Sequence, residues 1–508
     1  METATSAAIG DDPPVRPRPR RFQDTTEWLN RINPGWQLRP PVDLHGAVEP
    51  GMVEAASGHT FVVTLRVGPD LVILAGAHLT MEVPATWDVH LGNTFRRAIR
   101  TVGNRQQVQN GYGAFTDVEC SNPKVRLELE ASYGRVLDLV DVVVTGGTLR
   151  AGDEVRLILG PEDGNLVQAQ KFAQVAVLTV GIDLRGDGEY RRAATHPTVK
   201  VIGAAADRFR VFAPGVARPG QPFAVRALPV DLYSFNPAPR YRGTAQVEAT
   251  PGLAVPETVT IGDEHATGPY GMAPASITAT ASTPGVHTIT VVDVAQGLIG
   301  RSNPIGVGFL EDGGIYFGEL HSQMWASMGT GTTDEFFRWG RDVAGLDFCA
   351  PANHYGRRFD VTDEVWQELV DTCNRFDEPG RFATLVSYEW GGTRGSAVHS
   401  GHKNVYYRSD WGPFHQWHKG VHPTPDDLWR DLDAEGRDAL TVPHHTKASS
   451  GVDWRYRHDR YQRLVEICSK WGYSEVGGPH SVQAALAMGH RLGFVGGTDS
   501  HYGLANQG

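Results

Sequence analysis

Asp499 and His501 lie two positions apart at the end of an apolar run, in the order Phe-Val-Gly-Gly-Thr-Asp-Ser-His from Phe494. In an extended chain, side chains two apart share a face, so a carboxylate oxygen and an imidazole nitrogen converge on one point. Such donors suit zinc, manganese or iron. The same grammar recurs upstream. Ile315–Leu320 ends at His321, Leu346–Ala352 at Asn353-His354, Phe382–Tyr388 at Glu389, and Ala439–Pro443 at His444-His445, while Leu464–Cys468 contains Glu466. Packing does not call for this many titratable groups at strand ends, because buried imidazoles and carboxylates need partners. His402 differs: it precedes the strand Asn404–Tyr407. With His399 it sits beside the glycine-rich stretch Gly391–Gly401, whose freedom lets a loop approach a site.

Helix-like segments separate these strands. Thr332–Ala344 opens on a capping-box pair, Thr332 and Glu335. Thr362–Phe376 puts Val365, Leu369 and Cys373 on one face. Pro425–Glu435 has Thr424 as N-cap, Pro425 at the first helical position and Gly436 beyond its end. His480–His490 is a short alanine-rich helix. Strands alternating with helices predict βα units and a parallel sheet or barrel, in which all strand C-termini share one face.

The 508 residues predict several domains. Residues 1–40, with the Arg/Pro run Arg16–Arg21, read as a flexible tail. Residues 41–203 read as a β-rich domain, with strands at Thr60–Val67, Val125–Glu130, Val155–Leu159 and a longer one at Phe172–Val180. Residues 204–309 read as an immunoglobulin-like β-sandwich built from Arg208–Ala213, Pro222–Leu228, Thr244–Ala249, Ala275–Ala281 and Val286–Val292. After a linker at Glu311–Gly314, residues 310–508 carry the candidate site. His45, His59 and His90 stand alone and read as structural; His415, His418 and His422 lie in an aromatic-rich loop. A net charge of -11 argues against a general nucleic-acid binder. The four scattered cysteines read as reduced, and no signal peptide or 18-residue apolar run is present, so a cytoplasmic protein without membrane spans is expected.

The ordered motifs Gly-Glu-Leu-His321, Asn353-His354, Ser-Tyr-Glu389-Trp, Gly-His402-Lys-Asn-Val-Tyr, Val-Pro-His444-His and Gly-Gly-Thr-Asp499-Ser-His501 resemble the PHP (polymerase and histidinol phosphatase) superfamily. They are closest to its bacterial branch with β-rich N-terminal regions. The resemblance covers about 310–508. It implies a distorted (β/α)7 barrel with up to three divalent ions (Mn, Zn or Fe) held by His321, His354, Glu389, His402, His444, Asp499 and His501. Gln323 stands where the family places a second histidine, and Asn353 where it places a carboxylate, which points to one or two ions. Related chains continue beyond the seven residues that follow His501 here, so a longer natural chain is expected.

The expected function is a metal-dependent hydrolase in which metal-bound hydroxide attacks a phosphoester of a small molecule. Glu389 is the natural bridge between two ions. His445 is the candidate proton donor to the leaving group, and Arg357, Arg358, Lys403 or Lys447 would neutralise phosphate charge. Trp325, Trp390, Trp411, Trp417 and Trp454 allow a ring-bearing substrate. The same chemistry serves an amide, ester or lactone, and a non-catalytic module with a degenerate site is the remaining alternative. A homo-oligomer is compatible with the sequence.

Overall fold

The computed structural model describes residues 40–505 except 85–86, 88–98, 103–104, 110–114, 133–136, 162–165, 234, 269, 309–313, 325–328, 355–362, 392–399, 416–423 and 447–450. The expected tail and linker thus lie outside the described residues, apart from Pro40 and Gly314. The chain divides into two compact units: 1–53, 57–170 and 177–199 form the first, and 54–56, 171–176 and 200–508 the second.

The first unit is built on an eleven-stranded sheet. Phe61–Val67 shows why it forms: Phe61, Val63, Leu65 and Val67 are buried on one face while the residues between them are not. It pairs antiparallel with Val42–Glu49 and with Glu154–Leu159. The predicted strand Phe172–Val180 is instead two, Gln174–Val177 and Val180–Asp183.

In the second unit, two four-stranded sheets carry the sandwich. One comprises Arg208–Phe212, Pro222–Val230, Ala275–Ala281 and Leu253–Ala254; the other Thr258–Ile261, Gly243–Ala249, Ile289–Asp293 and Leu298–Arg301. The sandwich is continuous with the segment after 310 through one hydrophobic core holding Phe209, Val211, Phe336, Trp339 and Leu369. At this seam Tyr270 meets Trp339 edge-on at 5.0 Å, and its hydroxyl donates to Glu335 O at 3.1 Å.

The expected (β/α)7 barrel does not form. Strand makes up 43% of the structure and helix only 12%, and the segment is a near-barrel of mixed strands. Among the described residues it holds three short sheets. Gly318–Glu319, Phe348–Cys349 and Ala383–Thr384 are parallel. Ser387–Trp390, Lys403–Tyr407 and Ala439–Pro443 are antiparallel. In the third, Leu464–Ser469 runs parallel to Gly493–Gly496 and antiparallel to Gly472–Tyr473. The physical reason lies at Lys403–Tyr407. A parallel neighbour needs a crossover of a dozen or more residues, usually a helix. The twelve residues 391–402 include four glycines and no helical period, so the strand turns back instead. Backbone hydrogen bonds tie the sheets together: Glu389 N to Asn353 O at 2.9 Å, Thr441 N to Tyr461 O at 2.8 Å and Asp499 N to His321 O at 2.8 Å. Inside, Leu320, Ala350, Leu385, Tyr406, Leu440, Val442, Leu464 and Val495 pack into one apolar cluster.

Three of the four expected helices match the reading closely, while His480–His490 is reduced to Val482–Ala487. Thr332 and Glu335 cap Thr333–Arg338 reciprocally, and the helix continues as a wider turn over Trp339–Ala344. Asp363–Phe376 follows, then Pro425–Ala434 capped by Thr424, and Val482–Ala487 capped by Ser481. Cys120, Cys349, Cys373 and Cys468 are unpaired.

Candidate metal centre

The site forms where strand ends meet. Ser387–Trp390 carries Glu389, and Lys403–Tyr407 begins just after His402. Ala439–Pro443 ends just before His444, with Lys403 opposite Pro443 and Asn404 opposite Glu389. Antiparallel pairing therefore sets the start of one strand beside the end of the next. That is why His402, which precedes its strand, joins ligands that follow theirs.

Glu389 is the centre of the group. Its Oε1 accepts hydrogen bonds from His402 Nδ1 at 2.5 Å and His444 Nε2 at 3.0 Å. Donor atoms of Glu389, His402, His444 and His445 all lie within 4.8 Å of one another. On its other side, Glu389 Oε2 accepts from Gln323 Nε2 at 2.6 Å and lies 3.9 Å from His321 Nε2. Asp499 divides its oxygens in the same way, with Oδ1 3.3 Å from His321 Nε2 and Oδ2 3.4 Å from His445 Nδ1. His354 stands edge-on to His402, ring centres 5.0 Å apart. His501 meets the exposed Trp471 edge-on at 5.7 Å. Asp499 and His445 hold left-handed backbone, φ 47° and 30°, a conformation that costs about 1–3 kcal/mol for a residue with a side chain and collects at functional sites.

Electrostatics follow from burial against neighbouring charge. Burial alone would raise Glu389, but His354, His444 and His402 hold its carboxyl well below the usual range. Burial likewise opposes the ionised form of Asp499, and His321 and His445 outweigh it, so its pKa is lowered. Burial, with His321 and His445 beside it, holds His444 well below its ordinary value, leaving a neutral imidazole. Burial pushes His501 down to about 4. His321 is the exception: burial opposes its charge, yet Asp499 and Glu466 raise it well above the ordinary value.

The donor set fits a dication. The His321 Nδ1–H donates to Glu466 Oε2 at 2.8 Å, which turns Nε2 toward two carboxylates, where a proton or an ion must sit on it. Three acceptors aimed at one another repel unless a proton or a metal ion lies between them. His321 Nε2 and His444 Nδ1 are buried with no hydrogen-bond partner among the described residues. Neutral imidazoles and carboxylates are zinc, manganese and iron ligands.

Of the residues singled out from sequence, the structure brings together His321, Glu389, His402, His444, His445 and Asp499, with His354 and His501 beside them. Lys403 is not among them. Strand alternation turns it away from His402. It is fully buried, its ammonium donating to Ser400 O at 3.0 Å, and burial lowers its pKa to about 7. Arg357, Arg358, Lys447, His399, His418, His422, Trp325 and Trp417 lie outside the described residues. His415 is buried with its Nε2 3.8 Å from Glu435. Trp390 and Trp454 are core residues, whereas Trp411 is exposed.

Gln323 and Asn353 have structural work. Gln323 Nε2 also donates to Ala352 O at 3.0 Å, and its Oε1 accepts the His354 N–H at 2.6 Å, so the amide is a strut that orients Glu389. Asn353 Oδ1 accepts the Met324 N–H at 2.9 Å. Sequence reasoning missed Glu319, whose buried Oε1 accepts the His321 and Thr498 N–H groups at 2.8 and 3.1 Å and so ties two ligand-bearing strand ends. It also missed the role of Glu466. The one signal for both was a carboxylate within an otherwise apolar strand.

A family model described as "Protein of unknown function (DUF3604)" matches residues 319–467, a span that holds the site residues other than Asp499 and His501. An uncharacterised protein of Chlamydia pneumoniae is 22% identical over 232 residues, 42% of this chain and 36% of its own length. The chain thus spans about a third of that curated relative. Among solved structures, the Yersinia pseudotuberculosis adhesin InvE is 11% identical over 52% of this chain and 58% of its own, with a TM-score of 0.16. The D00-D0 domain of intimin is 10% identical over 45% of this chain and 98% of its own, with a TM-score of 0.19. Likeness at this level carries no argument about the site. No helix among the described residues is long and apolar enough to cross a membrane.

Proposed function

We propose that this protein is a metal-dependent hydrolase acting on a phosphoester of a small molecule, with a centre of one or two divalent ions (Mn, Zn or Fe). The observation that carries the reading is Glu389, buried with Oε1 between two imidazoles and Oε2 toward a third. Packing gives no reason for that arrangement. Glu389, His402, His444 and His445 would hold one ion, and His321 and Asp499 would face a second beside Glu389. A dication bound here supplies Lewis acidity, which activates water and polarises the oxygen under attack. Gln323 keeps the Glu389 carboxylate in one orientation, and Glu319 fixes the strand ends that carry His321 and Asp499. His444 and His501 are neutral near pH 7, so their nitrogens are available as donors to an ion or as acceptors of a substrate proton. The likeness of the motif series to PHP phosphoesterases favours phosphorus over a carbonyl carbon as the centre attacked.

Elemental mass spectrometry on the wild type and on Glu389→Ala tests this. One or two equivalents of Mn, Fe or Zn in the wild type, largely lost in the variant, are expected. Aryl phosphomonoesters and diesters should then be hydrolysed faster than aryl acetates. A wild type that takes up no metal after reconstitution overturns the reading.

A further inference from the structure

We propose that Glu466 is a positioning residue that presents His321 to the metal ion, and that Gly497 is present to leave room for that pair. The inference rests on the metal-centre reading above. Glu466 lies in the middle of Leu464–Ser469, buried, within an otherwise apolar stretch. Its Oε2 accepts the His321 Nδ1–H at 2.8 Å, while its Oε1 is buried without a hydrogen-bond partner among the described residues.

A half-satisfied carboxylate in a protein interior is a net cost to folding. Stability therefore does not explain Glu466, whereas its effect on His321 does. Accepting from Nδ1 fixes the tautomer, so the lone pair sits on Nε2, the nitrogen that faces Asp499 and Glu389. It also fixes the ring plane and makes Nε2 a better donor. His321 could not reach this state alone, since its strand neighbour Glu319 bonds to backbone N–H groups and not to the ring.

The Gly-Gly pair before Asp499 supplies a second, independent observation. A Cβ at Gly497 would collide with Glu466 Oε2 and with His321 Cβ. The backbone leading to Asp499 thus passes directly over the Glu466–His321 contact, and a hydrogen atom is what that space admits. A carboxylate from the middle of one strand, and an imidazole and a glycine that each follow the end of another, form a single unit.

The test is Zn²⁺ affinity, measured by competition with a chromophoric chelator on the whole chain, for wild type, Glu466→Ala, Glu466→Gln and Gly497→Ala. Glu466→Ala should bind about 10–100-fold more weakly. Glu466→Gln retains a carbonyl oxygen that accepts from Nδ1 and should recover most of the loss. Gly497→Ala, with both partners intact, should weaken binding in the same direction as Glu466→Ala. Circular dichroism of the metal-free proteins checks that each is folded; if Glu466→Ala is not, the glutamine and Gly497 variants carry the test. Wild-type affinity in all folded variants would overturn the assignment while leaving the metal centre standing. A wild type that binds no Zn²⁺ would overturn both.

Discussion

Gln323 makes the sharpest test of how the centre is held, because its side chain can be read as a weak ligand or as a strut. The structure commits the whole amide: Nε2 to Glu389 Oε2 and Ala352 O, Oε1 to the His354 N–H. Gln323→Ala removes all three at a position only 1% exposed. A hydrogen bond to a charged group contributes about 1.5–3 kcal/mol and each neutral one about 1. The metal-free variant should therefore lose about 3–5 kcal/mol, toward the lower end where water enters the space left behind. Urea unfolding in chelator, followed by the fluorescence of the buried Trp339 and Trp390, reads this as a fall in midpoint at constant slope. Added Zn²⁺ should restore part of the loss, since Glu389 Oε2 is then free to face an ion. A loss below about 1 kcal/mol in metal-free protein, with a clear loss of metal affinity, would mean that Gln323 is a ligand and that the strut argument is wrong.

Chelation of the reconstituted wild type should lower its melting temperature, because an ion at 100 times its dissociation constant stabilises the folded state by about 2.7 kcal/mol; an unchanged melt would contradict the centre. His196 gives a pH-dependent term in the first unit. Burial, then Arg192, lowers it from 6.5 to about 4, and its Nδ1 must stay unprotonated to accept the Val180 N–H at 3.1 Å. The unfolded chain takes up this proton first, so stability is complete above pH 6.5 and falls between 6.5 and 4, by at most about 3 kcal/mol. Between pH 7 and 4 the urea midpoint should fall less in His196→Gln than in the wild type, and an equal fall would contradict the assignment. Thr332→Ala removes the reciprocal cap with Glu335 and should cost about 1 kcal/mol in the same assay, with Thr332→Ser recovering most of it.

Helix boundaries were legible because caps are local chemistry. Thr424, Pro425 and Gly436 mark their helix within the span of its own residues, and no distant contact is needed to read them. Strand lengths were less legible. Ile315–Leu320 read as one apolar strand, yet only Gly318–Glu319 pairs, and Ile315, Tyr316 and Phe317 are 53%, 69% and 46% exposed. Apolar composition marks what can be buried, not what the neighbouring strand covers. The direction of Lys403–Tyr407 was not legible either, because periodicity of two is the same in parallel and antiparallel strands. The roles of Gln323 and Glu466 depend on partners 66 and 145 positions away, a separation at which spacing carries no information.

The failed barrel and the formed site have one explanation. Ligands converge when the strand ends that carry them lie on one edge, and strand direction decides only whether the ligand comes before or after its strand. In a parallel arrangement every ligand would follow its strand, and His402 would sit at the opposite edge from His444. With Lys403–Tyr407 reversed, His402 stands where His444 ends, and both reach Glu389 Oε1. The position of His402 ahead of its strand was thus the sequence's record of an antiparallel neighbour. The same reasoning explains why Lys403, one residue on, is lost to the site. Alternation along that strand sends it to the opposite face of the sheet, buried beside Ser400 and the Trp390 ring. Any cation that neutralises a bound phosphate must come from elsewhere on the rim, and Lys403→Met should leave the KM for an aryl phosphate within about twofold of the wild type. A tenfold rise would show that the ammonium reaches the substrate and that the strand face is misassigned.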